Sequence, residues 1–270
     1  MGGGAAMVVT LKCLRRRLAA ALAGLAMTTA LAHAQAPAAP TSLAEAWLAA
    51  LEAENAPVTW SHSVALRRTT AAALPAQRAR LVEELATLVI SARVDGNARL
   101  AAGLADWAEA LNADDPLAGR TPGRFDLPWL GANLRQDPPL AALVHWGSCA
   151  VPDWVEVWGV SGVERRPWRP GLDLAALLGD LPPAATQRAD HAAVISPLGD
   201  IQRLGIAAWN RETTSLAPGS RVMVLLPGPQ GLRGALPFPG TTLESDLINE
   251  RLPAYLATRL PGEECQLREE

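Results

Sequence analysis

Lysine is almost absent from this chain: Lys12 is the single one. Beyond it no side chain can form a Schiff base, act as a lysine general base or serve a phosphate-binding loop, so those chemistries are excluded. Histidine is sparse too. His62, His145 and His191 are scattered, with no partner at ligand spacing, and neither a metal site nor a cofactor is expected. No apolar run reaches the roughly 20 residues needed to span a bilayer without meeting a charge or a proline. Two Phe and one Tyr stand against nine Trp. The Trp146-Gly147-Ser148-Cys149 run lacks the flanking pattern of a nucleophile elbow. Asp114 and Asp115 are adjacent in a helix-ending loop, whereas acid–base work on a glycosidic bond needs opposed carboxylates in a cleft.

What the N-terminus does contain is a secretion pattern. Lys12, Arg15, Arg16 and Arg17 form a basic region, residues 18–31 an apolar core, and Ala32-His33-Ala34 a small–x–small cleavage site. Residues 1–34 therefore read as a signal peptide, and a periplasmic location is expected. Cys13 precedes the apolar core and is not a lipobox cysteine. Cleavage after Ala34 removes four basic and no acidic residues, leaving 20 basic against 27 acidic side chains, a net charge of −7. That balance argues against nucleic acid and anionic lipid as partners, since both require clustered positive charge. Cys149 and Cys265 remain in a compartment that permits a disulfide, and nothing in their spacing decides whether they pair.

Residues 35–41 are rich in Ala and Pro and read as a disordered lead-in. Ser42 and Glu45 then form a capping box ahead of Leu43, Ala46, Trp47, Ala50 and Leu51 at helical spacing. A weakly alternating strand is expected over 58–67. The spacing predicts two helices, over 76–92 and 98–111, joined by the turn Asp95-Gly96-Asn97. Strands are expected over 140–146, 155–160, 192–196, 201–209 and 221–226, with a short helix over 172–178. Residues 228–240 form a Gly/Pro-rich loop. A last amphipathic helix, with Asn249 as N-cap and Pro253 in its first turns, ends at Gly262. Pattern alone makes this an α+β protein.

Several short runs carry a family resemblance. Pro197-Leu198-Gly199-Asp200-Ile201-Gln202, then Gly205-Ile206-Ala207-Ala208-Trp209-Asn210, then Pro218-Gly219-Ser220 and a strand resemble the signature of GfcC-type capsule biosynthesis proteins. Gly119-Arg120, Asp126, Pro138-Pro139-Leu140 and Leu247-Ile248-Asn249 fall at the family's other marks in the right order. Leu198 departs from the family's usual Asp. Only about seven residues separate the cleavage site from the first helix, so the opening hairpin of a first domain has no obvious room.

The resemblance implies an α+β fold of two β-grasp (SLBB-like) domains, similar to periplasmic domains of outer-membrane polysaccharide exporters. The first would cover 42–150 with a helical hairpin inserted at about 76–112. The second would cover 151–228, followed by a loop over 229–248 and a C-terminal amphipathic helix over 249–262. The implied role is a periplasmic accessory in capsule or exopolysaccharide assembly and export, without established catalysis. Its partners would be polysaccharide, an outer-membrane exporter, or both. Two rival readings are a glycan-modifying hydrolase and a scaffold that only docks the exporter.

The resemblance also nominates a binding pocket at Arg120, whose planar fork suits a carboxylate or sugar hydroxyls. Arg124 and Arg135 are alternatives if the register slips, and Asp126 lies beside them. A structural arginine paired with Asp126, or with Asp114 and Asp115, is the competing reading. Trp47 and Trp107 fall on apolar helix faces and are expected in the core. Trp209 is expected there too, with Asn210 tying down the following loop. Trp154, Trp158 and Trp168 are candidates for an exposed partner surface.

Overall fold

The computed structural model describes residues 39–54, 58–113, 118–186, 188–227 and 241–269. The expected signal peptide with its expected cleavage site, most of the expected lead-in, Asp114 and Asp115, and most of the loop expected over 229–248 lie outside the described residues. Helix α1 (Leu43–Glu54) opens the described fold. Its capping box is formed: the Glu45 carboxylate accepts from the Ser42 N–H at 3.4 Å, and from the preceding Thr41 N–H at 2.8 Å, while the Glu45 N–H donates to Ser42 Oγ at 3.4 Å. Strand β1 (Ser63–Arg67) leads without a loop into helix α2 (Arg68–Val94), and helix α3 (Ala98–Ala113) returns antiparallel. Gly96 makes the turn between them at φ +71°. Helix α2 begins eight residues before the expected 76, running through Pro75, because Ala71 and Leu74 bury against the core and outweigh the one backbone bond a proline omits.

Short helix α4 (Leu127–Ala132) precedes β2 (Leu143–Cys149), which pairs antiparallel with β1. The chain's last strand, β8 (Cys265–Glu269), adds to the other edge of β2, making a three-stranded sheet ordered β1-β2-β8. Sequence pattern gave no sign of β8. Cys149 and Cys265 are directly opposed in that ladder and form a disulfide. One face of this sheet buries Ala65, Leu143 and Trp146 against α1 and α4. There Trp47 stacks edge-on with Trp146 at 4.7 Å and Trp60 at 5.3 Å.

The second sheet has five strands. Hairpin β3 (Trp154–Gly159) and β4 (Gly162–Pro167) is followed by helix α5 (Leu174–Gly179). Hairpin β5 (His191–Ile195) and β6 (Ile201–Gly205) comes next, then β7 (Arg221–Val224). The order is β4-β3-β7-β5-β6, with β7 central, parallel to β3 and antiparallel to β5. Strand periodicity divides the side chains. Val155, Val157, Ala192, Val194 and Val222 face α5, whereas Trp158, Ala193, Ile195 and Met223 share a core with α2, α3 and the last helix. Helix α3 sits tightly on the β3–β4 turn. Trp107 Nε1 donates to the Gly159 carbonyl at 2.9 Å, and a Cβ on Gly103 would lie 2.1 Å from the Val160 oxygen.

Helix α6 (Thr241–Leu256) corrects the expectation for 249–262 and the end of the 229–248 loop. Asn249 is not a cap. It sits mid-helix, its side chain accepting from the Leu226 N–H at 2.7 Å and donating to the Leu226 carbonyl at 2.9 Å. Pro253 consequently falls in the last turns, and the chain leaves the helix at Ala257 to bridge Gly119 through Arg259. Within the described residues the architecture is mixed α+β with two sheets, and no helix is long and apolar enough to cross a membrane.

Candidate functional site

Strand β3 reads Trp-Val-Glu-Val-Trp-Gly, and its alternation turns Glu156 into the interior between two valines that face the other way. The register then places an arginine on each side. Arg165 of β4 and Arg221 of β7 are both direct cross-strand partners of Glu156. Glu156 Oε1 accepts from Arg221 Nε at 3.2 Å, from Arg259 Nη1 at 2.9 Å and from Trp158 Nε1 at 2.8 Å. Its Oε2 lies 3.6 Å from Arg165 Nε. Burial alone would raise this carboxyl, but Arg221, Arg259, the Trp158 N–H and Arg165 together hold it below the ordinary value. Glu156 is therefore a fixed anion that gathers three guanidinium groups.

Those groups form the floor of a cleft of about 180 Å³, with Trp154, Glu263 and the backbone of Gly119 among its lining. The cleft is smaller than the roughly 300–1,000 Å³ typical of pockets that enclose a whole small molecule. It suits a side group of a longer chain. Arg165 is its accessible member: its side chain is 40% exposed, pairs with Glu263, and lies 4.3 Å over the Trp154 ring. Trp154 is thus a platform for Arg165. Catalysis by general acid would need a carboxyl held high, and Glu156 is held low. Among the described residues no group of His, Cys, Asp and Glu could hold a metal ion.

Of the expected pocket residues only Arg124 and Asp126 come together. Arg120 is 1% exposed. It donates Nε to the Ala257 carbonyl at 3.1 Å, Nη1 to Pro197 and Nη2 to Ser196 at 3.4 Å. Burial, and secondarily the like charge of Arg221, brings its pKa down to about 9, against the attraction of Asp200. The sequence expectation of a ligand-facing Arg120 is corrected to a clamp: it ties the Pro197–Asp200 turn to the end of α6. Gly199, at φ +91°, lets that turn approach Pro122, which a Cβ would meet at 2.8 Å. Asp126 is the N-cap of α4, accepting from the Trp129 N–H, and is bound by Arg124 at 2.8 Å. Arg135 is exposed in a separate single turn.

The tryptophans are also redistributed. Trp158 is fully buried, which removes it from the expected surface, and Trp168 is half-buried with its N–H on the Leu216 carbonyl at 2.7 Å. Trp209, expected in the core, is 75% exposed. Sequence reasoning missed Glu156, Arg165, Arg221 and Arg259. One signal was available: a glutamate at the centre of an otherwise apolar strand has to be paired.

The molecule is thus an α+β protein whose second sheet carries a buried, arginine-ringed carboxylate beside a small basic cleft. Residues 162–261 match the family model described as capsule biosynthesis GfcC C-terminal. The match supports a GfcC-type capsule biosynthesis protein, the family that the sequence marks resemble. The 100 matched residues hold β4 to β7, α6 and the three arginines around Glu156.

Proposed function

We propose that this protein is a periplasmic accessory in capsule or exopolysaccharide assembly and export, and that it acts by binding an acidic segment of the polymer at the arginine cleft. The observation that carries the reading is the family match over 162–261, which takes in Arg165, Arg221 and Arg259. Arg165, partly exposed and oriented by the Trp154 indole, would exchange the exposed Glu263 carboxylate for a uronic-acid carboxylate of the polymer. Secretion is supported by the basic, apolar and small–x–small pattern of residues 12–34, and by a disulfide, which persists in an oxidising compartment.

The five-stranded sheet reads as a β-grasp of the SLBB-like kind. Two hairpins flank a central strand parallel to the first, and a helix fills the crossover. The sheet β1-β2-β8 would be a reduced first unit. Deleting the gene is expected to lower the amount of surface or secreted polysaccharide. Unchanged amount, chain length and surface retention of polymer would overturn the proposal.

A further inference from the structure

Of the nine tryptophans, eight are buried or half-buried, and Trp209 alone is exposed. An indole left in water by a protein that buries its others is the kind of residue a binding surface uses. Its backbone is not loose. Asn210 Nδ2 donates to the Asp190 carbonyl at 3.0 Å, the Asn210 N–H returns to the Ala207 carbonyl at 3.2 Å, and the Glu212 N–H closes onto the Gly205 carbonyl at 2.9 Å. Glu212 Oε2 accepts from the Gly205 N–H at 2.7 Å. Gly205 is required there, because a Cβ would lie 2.0 Å from the Asn210 oxygen. Trp209 therefore projects from a turn fixed at both ends.

That turn forms one wall of a second cleft, of about 300 Å³. Ile206, Ala207, Arg211 and Glu212 line one side, and Leu178 and Thr186 belong to the other. Arg211 is exposed and joins no ion pair among the described residues. An exposed aromatic ring two residues along the chain from an exposed guanidinium that lines a polar cleft offers the two kinds of surface that an acidic sugar can use. The apolar ring face can stack on the indole, and the carboxylate can take the fork.

We infer that Trp209 and Arg211 form a second saccharide-binding subsite, separate from the Glu156 cleft, that takes a uronic-acid-containing segment of the polymer. The inference rests on the polysaccharide-binding reading above and extends it to a second contact point on one chain. Two contacts on one polymer raise the effective concentration for each, so loss of either weakens the whole.

The test uses the secreted full-length protein and exopolysaccharide purified from the strain that carries the gene, fragmented to oligosaccharides. Isothermal titration compares wild type with Trp209→Ala, Trp209→Phe and Arg211→Ala. Trp209→Ala is expected to weaken binding by about tenfold or more, the loss of one good stacking contact, at an unchanged melting temperature. Trp209→Phe should recover part of that loss. The iodide-quenchable part of the tryptophan emission should fall on saturation of wild type and be missing in Trp209→Ala. Equal affinity of wild type and Trp209→Ala overturns the subsite while leaving polymer binding standing. Failure of wild type to bind the fragments overturns both. Loss of exporter co-purification in Trp209→Ala, with fragment affinity intact, overturns the subsite in favour of protein docking.

Discussion

Arg120 and Trp209 exchange the environments that sequence assigns them: the arginine is buried and the indole is exposed. Arginine chemistry invites a ligand, and Arg120 spends its donors on the carbonyls of Ala257, Pro197 and Ser196. What could not be read is that two loops, one after β5 and one after α6, close over it. Replacing Arg120 by Ala leaves those buried carbonyls without a donor and is expected to cost about 3–5 kcal/mol. Arg120→Lys keeps the charge without the fork and should lose an intermediate amount, read from chemical denaturation. A lysine variant of unchanged stability that fails to bind polymer would restore the ligand-facing role.

Titration follows from the same interior. His62 and His145 are both held below the ordinary histidine value of 6.5, chiefly by burial. The unfolded chain then takes up more protons, so stability is full above about pH 6.5 and declines as pH falls toward the folded values. Glu156 is held below its ordinary 4.5, so its contribution is present above that pH and is lost as pH falls through the folded value. The melting temperature should therefore drop in two stages on acidification. A flat profile between pH 7.5 and 5.5 would contradict the account of the histidines.

At the scale of elements, the helical hairpin was legible because its apolar face repeats over many turns, and Gly96 fixes where it turns. The last helix was misplaced for a local reason. Asn249 looks like a cap in sequence, yet its amide is occupied by the backbone of Leu226, and the helix begins earlier, at Thr241. Strands β4 and β8 were missed because each is an edge strand with charged residues outward and little alternation to detect. Strand β8 is held by pairing with β2 and by the Cys149–Cys265 bond, which spans 116 residues. On the chain-entropy account a loop of that length stabilises by about 4–5 kcal/mol. Cys149→Ser/Cys265→Ser should shift the denaturation midpoint accordingly, and reduction of wild type should mimic it. Identical midpoints for oxidised and reduced protein would show that the strand holds without its bond.

Across Pro40–Glu270 as a unit, the α+β class was readable from alternating helical and strand periods, and the GfcC resemblance from short marks in order. The cleft was not. Glu156, Arg165, Arg221 and Arg259 come from β3, β4, β7 and the segment after α6, and only sheet register makes them neighbours. Two of the sequence marks, Gly119-Arg120 and the Pro197–Asp200 turn, meet through the Arg120 clamp.

The measurement that bears most directly on this account is complementation of a gene-deletion strain, with surface polysaccharide quantified. Wild type should restore the polymer, and Arg165→Gln, which removes the accessible charge of the cleft without setting a second carboxylate against Glu156, should restore little at a melting temperature close to that of wild type. Full polysaccharide in the deletion strain, or full restoration by Arg165→Gln, would contradict the claim that this cleft serves polymer export.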